Sequence, residues 1–157
     1  MKKAGTSPKE LPQSMLSGDA LRSFFRDFQG HETARCLIRP VIADDLQAYY
    51  ECHRDPEMFR FEVHEPLKSI DEARAFFDRW KRRREEGTPT PFSVISKAES
   101  VWIGTCSFGV VKPDYHYVAV GLGIARHHWG EGLATEALRG LLSIAFESLG
   151  CYRVEAD

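Results

Sequence analysis

The feature that most restricts the fold of this chain is an apolar run that leads, through a glycine turn, into a long amphipathic stretch. Residues 117–125 are almost entirely apolar, and Gly130 and Gly132 follow shortly afterwards. A turn of this kind between a strand and a helix directs several backbone N–H groups to one point, where the positive end of the helix dipole adds to them. A side chain at either glycine would obstruct a bound phosphate or forbid the backbone angles. The turn therefore predicts an anion site suited to a diphosphate.

The stretch after the turn reads as a helix that is followed by a second strand. Apolar residues recur there at helical spacing, namely Leu133, Ala134, Ala137, Leu138, Leu141, Leu142, Ala145, Phe146 and Leu149. Gly150 is a stop signal, and residues 151–156 carry the β-branched and aromatic residues typical of a strand. The order strand, turn, helix, strand predicts a βαβ unit with two parallel strands.

The glycine spacing alone leaves the ligand open. Thr135 stands where the dinucleotide-binding fingerprint needs a third glycine, and no Gly-Lys-Ser/Thr of a Walker A loop follows. A tight connection that binds no ligand fits this spacing equally well.

The string Trp-Gly-x-Gly-x-Ala-Thr-Glu-Ala, which begins at Trp129, carries a family resemblance. It resembles the phosphate motif of the GNAT superfamily of acyl-CoA-dependent N-acetyltransferases, in the subgroup that includes ribosomal-protein N-terminal acetyltransferases. Residues 37–40, 55–57 and 103–105 resemble further landmarks of that subgroup, in the same order. The resemblance extends from about residue 33 to the end. His127 stands where the family usually has glutamine or arginine.

This resemblance implies a mixed α/β (α+β) fold with a mostly antiparallel sheet, one parallel strand pair at the cofactor site and helices on both faces. It implies acetyl-CoA as the co-substrate. The residues expected to bind it come from the strand before the loop and from the loop itself, namely Leu122, Gly123, Ile124, His127, Trp129, Gly130, Glu131, Gly132, Leu133, Ala134 and Thr135. Members of the family continue with more strands after the strand at 151–156, so the C-terminal strands are expected to be missing here.

Composition narrows the classes of partner and the compartment. The formal net charge is −2, which gives no electrostatic reason to expect nucleic acid or an anionic membrane surface as a partner. No stretch approaches the roughly 18 apolar residues of a membrane span, and no apolar segment follows the basic start, so a cytoplasmic location is expected. The four cysteines are scattered without a C-x-x-C pair, so neither zinc nor a redox motif is indicated.

Two regions are expected along the chain. Residues 1–32 read as an N-terminal extension, and residues 33–157 as the acetyltransferase-type domain, truncated at its C-terminal end. In the extension, Asp19 is expected to cap a short helix that ends at Gly30. Its apolar stripe is expected to pack on the domain, although it also suits a partner interface; the stripe consists of Leu21, Phe24, Phe25 and Phe28.

The domain begins with a predicted strand at 34–39 and a helix at 44–54, whose first turn is acidic. A capping-box pattern from Ser69 to Glu72 opens a second helix. Residues 92–96 and 101–111 are predicted antiparallel strands.

The general base is the least defined part of the expected chemistry. Many members of the family carry glutamate in the strand before the loop, but this chain has Ala119, which cannot accept a proton. Glu62 and His64 are therefore the candidate catalytic residues, with Glu65 beside them, because the segment after the first helix often lines the acceptor pocket in the family. Solvated loop residues are the alternative interpretation of these side chains, and replacement of a protein base by water is the alternative for the chemistry. His116 is a further candidate of equal standing.

No metal site is expected, because His127 and His128 are adjacent and point apart. The sequence thus predicts an acetyl-CoA-dependent N-acetyltransferase that acts on a primary amine, either a protein N-terminus or a small molecule. A CoA-binding or interaction module without turnover is the alternative. An unpaired sheet edge at the truncated end would allow a homodimer.

Overall fold

A computed structural model of the chain describes residues 14–60 and 64–156. Its centre is one six-stranded sheet in which the strands lie in chain order, β1-β2-β3-β4-β5-β6. All neighbouring pairs are antiparallel except β5 and β6, which are parallel. The strands are β1 (His31–Glu32), β2 (Cys36–Pro40), β3 (Phe92–Ser96), β4 (Val101–Lys112), β5 (Tyr117–Ile124) and β6 (Arg153–Ala156).

Helices cover both faces of this sheet, as expected. They are α1 (Gly18–Asp27), α2 (Leu46–His53), α3 (Ile70–Glu85) and α4 (Leu133–Ser143). Helices α2 and α3 lie on one face, where the Tyr49 ring meets Trp102 of β4 at 6.3 Å between centroids. Helices α1 and α4 lie on the other face and enclose the main core with side chains such as Ile38, Val94 and Leu141. The mixed sheet with one parallel pair confirms the predicted fold class.

The aromatic stripe of α1 packs on the sheet, as predicted. Phe25 is buried, with its ring 6.2 Å from that of Phe108, and the Phe28 ring lies 4.8 Å from that of Phe92. The predicted ends of this helix were wrong. Ser17 precedes the first helical residue, Asp19 lies in the first turn where its carboxylate faces the helix dipole, and the helix ends at Asp27 before Gly30.

The start of the domain differs from the prediction in two ways. The two-residue strand β1 was not predicted, and the helix expected at 44–54 begins only at Leu46, after a 3₁₀ turn at Ala43–Asp45. Asp45, read from the sequence as part of an acidic first turn, is 4% exposed. Its carboxylate accepts hydrogen bonds from Arg39, from the Ile42 N–H and from the Ser93 hydroxyl at 2.6–3.0 Å. These bonds keep the pKa of Asp45 below its usual value although burial opposes this.

The βαβ unit forms as predicted. The register of the parallel pair runs from Tyr117 opposite Arg153 to Val120 opposite Ala156, and residues 121–124 pair with β4. The predicted helix at 133–149 is α4 continued by a π-helical turn at Ile144–Leu149, and Gly150 ends it with a φ of 74°. The capping box at Ser69 also forms, with the Ser69 hydroxyl accepting from the Glu72 N–H at 3.3 Å.

All four cysteines are free and buried. Among the described residues, no helix is both long and apolar enough to cross a membrane.

Candidate active site

A cavity with a volume of about 750 Å³ lies between the sheet and the helices α2 and α3. Its floor consists of Thr105 and Ser107 of β4 and of residues 121–123 of β5. Thr105 pairs with Gly123 and Ser107 with Gly121, so these four residues share one face of the sheet. Because the two glycines have no side chains, the backbone of β5 itself borders the cavity. A molecule in this cavity would contact main-chain groups of the strand that leads into the glycine turn.

The walls of the cavity are aromatic near the sheet and charged at the rim. Tyr49, His53, Met58, Phe59 and Phe76 form the inner wall. Four charged side chains lie at the rim, namely Glu65, Lys68, Glu72 and Arg79. They are largely paired with neighbours: Lys68 Nζ lies 3.0 Å from Glu65, Glu72 accepts from the Lys68 N–H at 2.9 Å, and Arg79 lies over the Phe76 ring. The rim therefore carries charges of both signs without a strong excess of either.

The structure places the candidate bases at different locations. His64 is exposed and lines the cavity, whereas Glu62 lies outside the described residues. Glu65 is at the rim, where the hydrogen bond from Lys68 lowers the pKa of its carboxyl group. His116 lies elsewhere: its ring stacks on Tyr152, and its Nδ1 accepts from the Met15 N–H at 3.3 Å. His116 is thus engaged at the start of β5, and the structure does not bring it to the cavity.

Sequence reasoning missed one histidine of the cavity wall. His53 is the last residue of α2, and its ring stacks on Tyr49 with 3.8 Å between centroids. Its Nδ1 is 2.9 Å from the Tyr49 carbonyl oxygen, and burial lowers the pKa of the imidazole. The helical spacing from Tyr49 to His53 could have indicated that both side chains face the same way, but no local pattern indicates a cavity beside them.

The glycine turn has the geometry expected of an anion site. Gly130 and Gly132 have φ values of 80° and 76°, in the left-handed region that favours glycine, and α4 begins directly afterwards at Leu133. Within the described part of the chain, the backbone N–H groups of residues 130–135 have no acceptor; the next N–H, that of Glu136, donates to the Gly132 carbonyl. A run of free donors at a helix N-terminus suits the oxygens of a diphosphate.

Trp129 connects this turn to the strand. Its indole Nε1 donates to the Ile124 carbonyl at 2.6 Å, while 52% of the residue surface stays exposed. The bond fixes the position of the turn relative to the end of β5. The expectation that His127 and His128 point apart was wrong, because their ring centroids lie only 4.2 Å from each other. The described residues contain no group of three or more side chains suited to a metal ion.

A second set of contacts, also missed from the sequence, fastens the turn to the beginning of the domain. Glu136 of α4 accepts hydrogen bonds from the Thr33 hydroxyl at 2.6 Å, from the Arg35 N–H at 2.6 Å and from Arg35 Nε at 2.7 Å. Arg35 Nη1 also donates to the Glu131 carbonyl at 2.9 Å. The bond from Thr33, followed by those from Arg35, lowers the pKa of Glu136 to about 2. Because a peptide N–H points opposite to its C=O, the Arg35 bond turns the Gly132 N–H away from Arg35 and keeps it free.

Comparison with known proteins agrees with this geometry. The family model described as "Acetyltransferase (GNAT) domain" matches residues 35–157. The uncharacterized N-acetyltransferase p20 of Bacillus licheniformis is 30% identical over 124 residues, which cover 79% of this chain and 70% of that protein.

Solved structures share the fold. A Vibrio cholerae protein described as a ribosomal-protein-serine acetyltransferase superposes with a TM-score of 0.72 at 21% identity, over 82% of this chain and 73% of that one. The spermidine N-acetyltransferase of Vibrio cholerae, in complex with CoA and spermine, superposes with a TM-score of 0.68 at 18% identity, over 79% of this chain and 71% of that one.

Proposed function

Because this chain belongs to the GNAT acetyltransferase family, we propose that it transfers the acetyl group of acetyl-CoA to a primary amine held in the cavity. One observation carries the proposal. The backbone of residues 121–123 forms part of the cavity floor, and the same strand leads into the turn whose N–H groups at residues 130–135 are free. A cofactor whose diphosphate lies on the turn can therefore extend along the strand and present its thioester to the cavity.

In this arrangement, the loop from His127 to Thr135 holds the diphosphate. Its donors are backbone N–H groups, since Gly130 and Gly132 leave room for the phosphate oxygens and α4 adds the positive end of its dipole. Glu131, Leu133 and Ala134 contribute main-chain donors rather than side-chain contacts. The segment of Leu122, Gly123 and Ile124 carries the pantetheine arm. The Ile124 carbonyl already accepts from Trp129, so Leu122 and Gly123 supply the main-chain contacts nearer the thioester.

The acceptor is a primary amine that enters the cavity from the rim of mixed charge. A protein N-terminus fits the resemblance to ribosomal-protein acetyltransferases, and the structural neighbour described as a ribosomal-protein-serine acetyltransferase supports it. A small-molecule amine is the other class, supported by the neighbour that binds spermine. His64 lines the cavity and is a candidate base for either acceptor, and Glu62, which lies outside the described residues, remains a candidate from the sequence alone.

The experiment is a thiol-release assay with acetyl-CoA and two panels of acceptors, one of short peptides with free N-termini and one of small primary amines. We expect thiol release that depends on one of the panels, with the acetylated product identified by mass spectrometry. The variant Gly132→Val is the matched control, because it should weaken cofactor binding at least tenfold without changing the cavity wall. Absence of thiol release with every amine, at saturating acetyl-CoA, would contradict the proposal.

A CoA-binding module without turnover is the second candidate. Ala119, which stands where many members of the family carry glutamate, favours it: the residue is buried and has no group that can take a proton. Calorimetry that detects CoA binding in a protein that releases no thiol would support this module.

A further inference from the structure

His53 combines several features that a general base in the cavity would need. It lies at the end of α2 and lines the cavity whose floor is the backbone of β5. Building on the proposed acetyl transfer, we propose that His53 is a catalytic residue, whose Nε2 takes the proton of the acceptor ammonium.

The tautomer of His53 follows from its hydrogen bond. Nδ1 is 2.9 Å from the Tyr49 carbonyl oxygen, and a carbonyl can only accept, so Nδ1 carries the hydrogen. In the neutral ring, Nε2 then holds the free lone pair, and it has no partner among the described residues. The stacking on Tyr49 and the edge contact with Phe59 at 5.9 Å hold the ring plane. A fixed ring with one free basic nitrogen is the form that a general base requires.

The surroundings keep this ring neutral. Burial lowers the pKa of His53 more strongly than its bond to Tyr49 raises it. The titratable side chains around the same cavity are Tyr49 on its own helix, His64, Glu65 and Lys68 on the following segment, and Glu72 and Arg79 on α3. The floor from β4 and β5 contributes hydroxyl groups and glycine backbone but no charge. His53 is therefore available as an unprotonated base near neutral pH.

The other histidine of the cavity lacks these features. His64 is exposed, and the described residues provide no hydrogen bond that fixes its ring. His53 also remains in place through its own backbone, because its carbonyl accepts from the Leu67 N–H at 2.8 Å. The position of His53 on a helix, rather than on the exposed segment, makes it the better-held base.

Acetyl transfer removes two protons from the acceptor nitrogen. The ammonium gives one proton to Nε2 and becomes a neutral amine, whose nitrogen attacks the acetyl carbonyl carbon. When the C–S bond breaks, its electron pair leaves on the sulfur of CoA. The second proton of the nitrogen passes to that thiolate, which gives the amide and the CoA thiol. The imidazolium of His53 then returns its proton to solvent.

The test is the pH dependence of kcat/KM for the acceptor in wild type and in His53→Asn. Asparagine keeps an N–H at the position of Nδ1, so it can still donate to Tyr49, but it has no basic nitrogen at the position of Nε2. We expect kcat/KM to fall about 100-fold near pH 7, the range of a lost general base, with the affinity for acetyl-CoA unchanged. The loss should shrink as the pH rises above the pKa of the amine, because the acceptor then arrives unprotonated.

A second measurement does not depend on the variant folding. The acidic limb of the wild-type profile should coincide with the pKa of His53 followed by NMR, below the usual histidine value of about 6.5. Phe77→Leu is the control for packing: it also disturbs the Tyr49 ring, which lies 5.4 Å away, but removes no base, so its profile should keep the wild-type limb.

Several results would overturn the inference. His53→Asn with the wild-type kcat/KM and the wild-type acidic limb would overturn it. An equal loss of kcat/KM in Phe77→Leu would also overturn it, as would an acidic limb that disappears in His64→Gln instead. These outcomes all require an active wild type, and they leave the proposed acetyl transfer intact. A wild type that releases no thiol with any amine would end both proposals together.

Discussion

Replacing Glu136 by glutamine tests the contacts that hold the start of the domain against the first turn of α4. The carboxylate of Glu136 accepts from Thr33 and twice from Arg35. Glutamine keeps one acceptor oxygen, but its NH₂ group faces the Arg35 guanidinium, which is itself only a donor. The variant should therefore lose the bond to Arg35 Nε and loosen the bond from Arg35 Nη1 to the Glu131 carbonyl.

The size of the effect follows from the pKa of Glu136, which the network lowers from 4.5 to about 2. At ~1.4 kcal/mol per pKa unit, that shift corresponds to at most about 3.5 kcal/mol of unfolding free energy. The Arg35 side chain is 51% exposed, so solvent screening reduces the expected loss to about 1–2 kcal/mol. For a chain of this length, such a loss lowers the melting temperature by about 2–8 °C.

The pH dependence gives the sharper test. A carboxyl group whose folded pKa is lowered stabilises the fold above its unfolded pKa, here 4.5, and this stabilisation disappears as the pH falls towards about 2. Urea unfolding at several pH values between 7 and 3 should thus show a difference between wild type and Glu136→Gln that shrinks to less than half by about pH 3. Glu131→Gln is the matched control for stability, because it removes the same charge nearby but keeps the carbonyl that Arg35 binds. Equal stability of Glu136→Gln and wild type at pH 7, or a difference of the same size at pH 3, would refute the reasoning.

Three further outcomes are expected. Gly132→Val should weaken acetyl-CoA binding at least tenfold, about 1.4 kcal/mol, because the φ of 76° at Gly132 suits glycine and a Cβ there would lie 3.4 Å from Arg35. Gly130→Val should weaken binding similarly, and an unchanged affinity by calorimetry in both folded variants would contradict the proposed diphosphate site. Trp129→Phe removes the donor to Ile124 and should lower the unfolding free energy by about 1 kcal/mol and weaken cofactor binding several-fold, which denaturant titration and calorimetry can measure. Phe25→Ala should lower the unfolding free energy by about 3–5 kcal/mol, whereas Arg26→Ala on the exposed side of the same helix should change it by no more than about 0.5 kcal/mol. Thermal or urea unfolding measures both, and similar values for the two variants would mean that α1 does not stabilise the domain.

The part of the fold that the sequence predicted is the part determined by local pattern. The run at 117–124, the glycines at 130 and 132 and the helical spacing that follows are each readable within a short window, and β5, the turn and α4 lie where they were expected. The same is true of the capping box at Ser69.

The features that were missed depend on residues distant in sequence. The strand β1 has only two residues and exists through its pairing with β2, so it has no periodicity of its own. Arg35 and Glu136 are 101 positions apart, and Asp45 is buried only because Arg39 and Ser93 meet it. Likewise, His53 gained its place in the candidate site from the packing of α2 against the sheet, which no local pattern contains.

The burial of the cysteines has a consequence for how the protein can be assayed. Burial raises the pKa of Cys52 to about 11 and that of Cys106 to about 12, and it also raises the pKa values of Cys36 and Cys151. Because the thiolate is the reactive form, a chromogenic disulfide reagent should leave these four thiols untouched in the native protein and record only the thiol liberated from the cofactor. Each cysteine can therefore report on local opening through its labelling rate, since a buried thiol reacts only when the structure around it opens. Chains that keep a single cysteine would then report separately on β2, α2, β4 and the approach to β6.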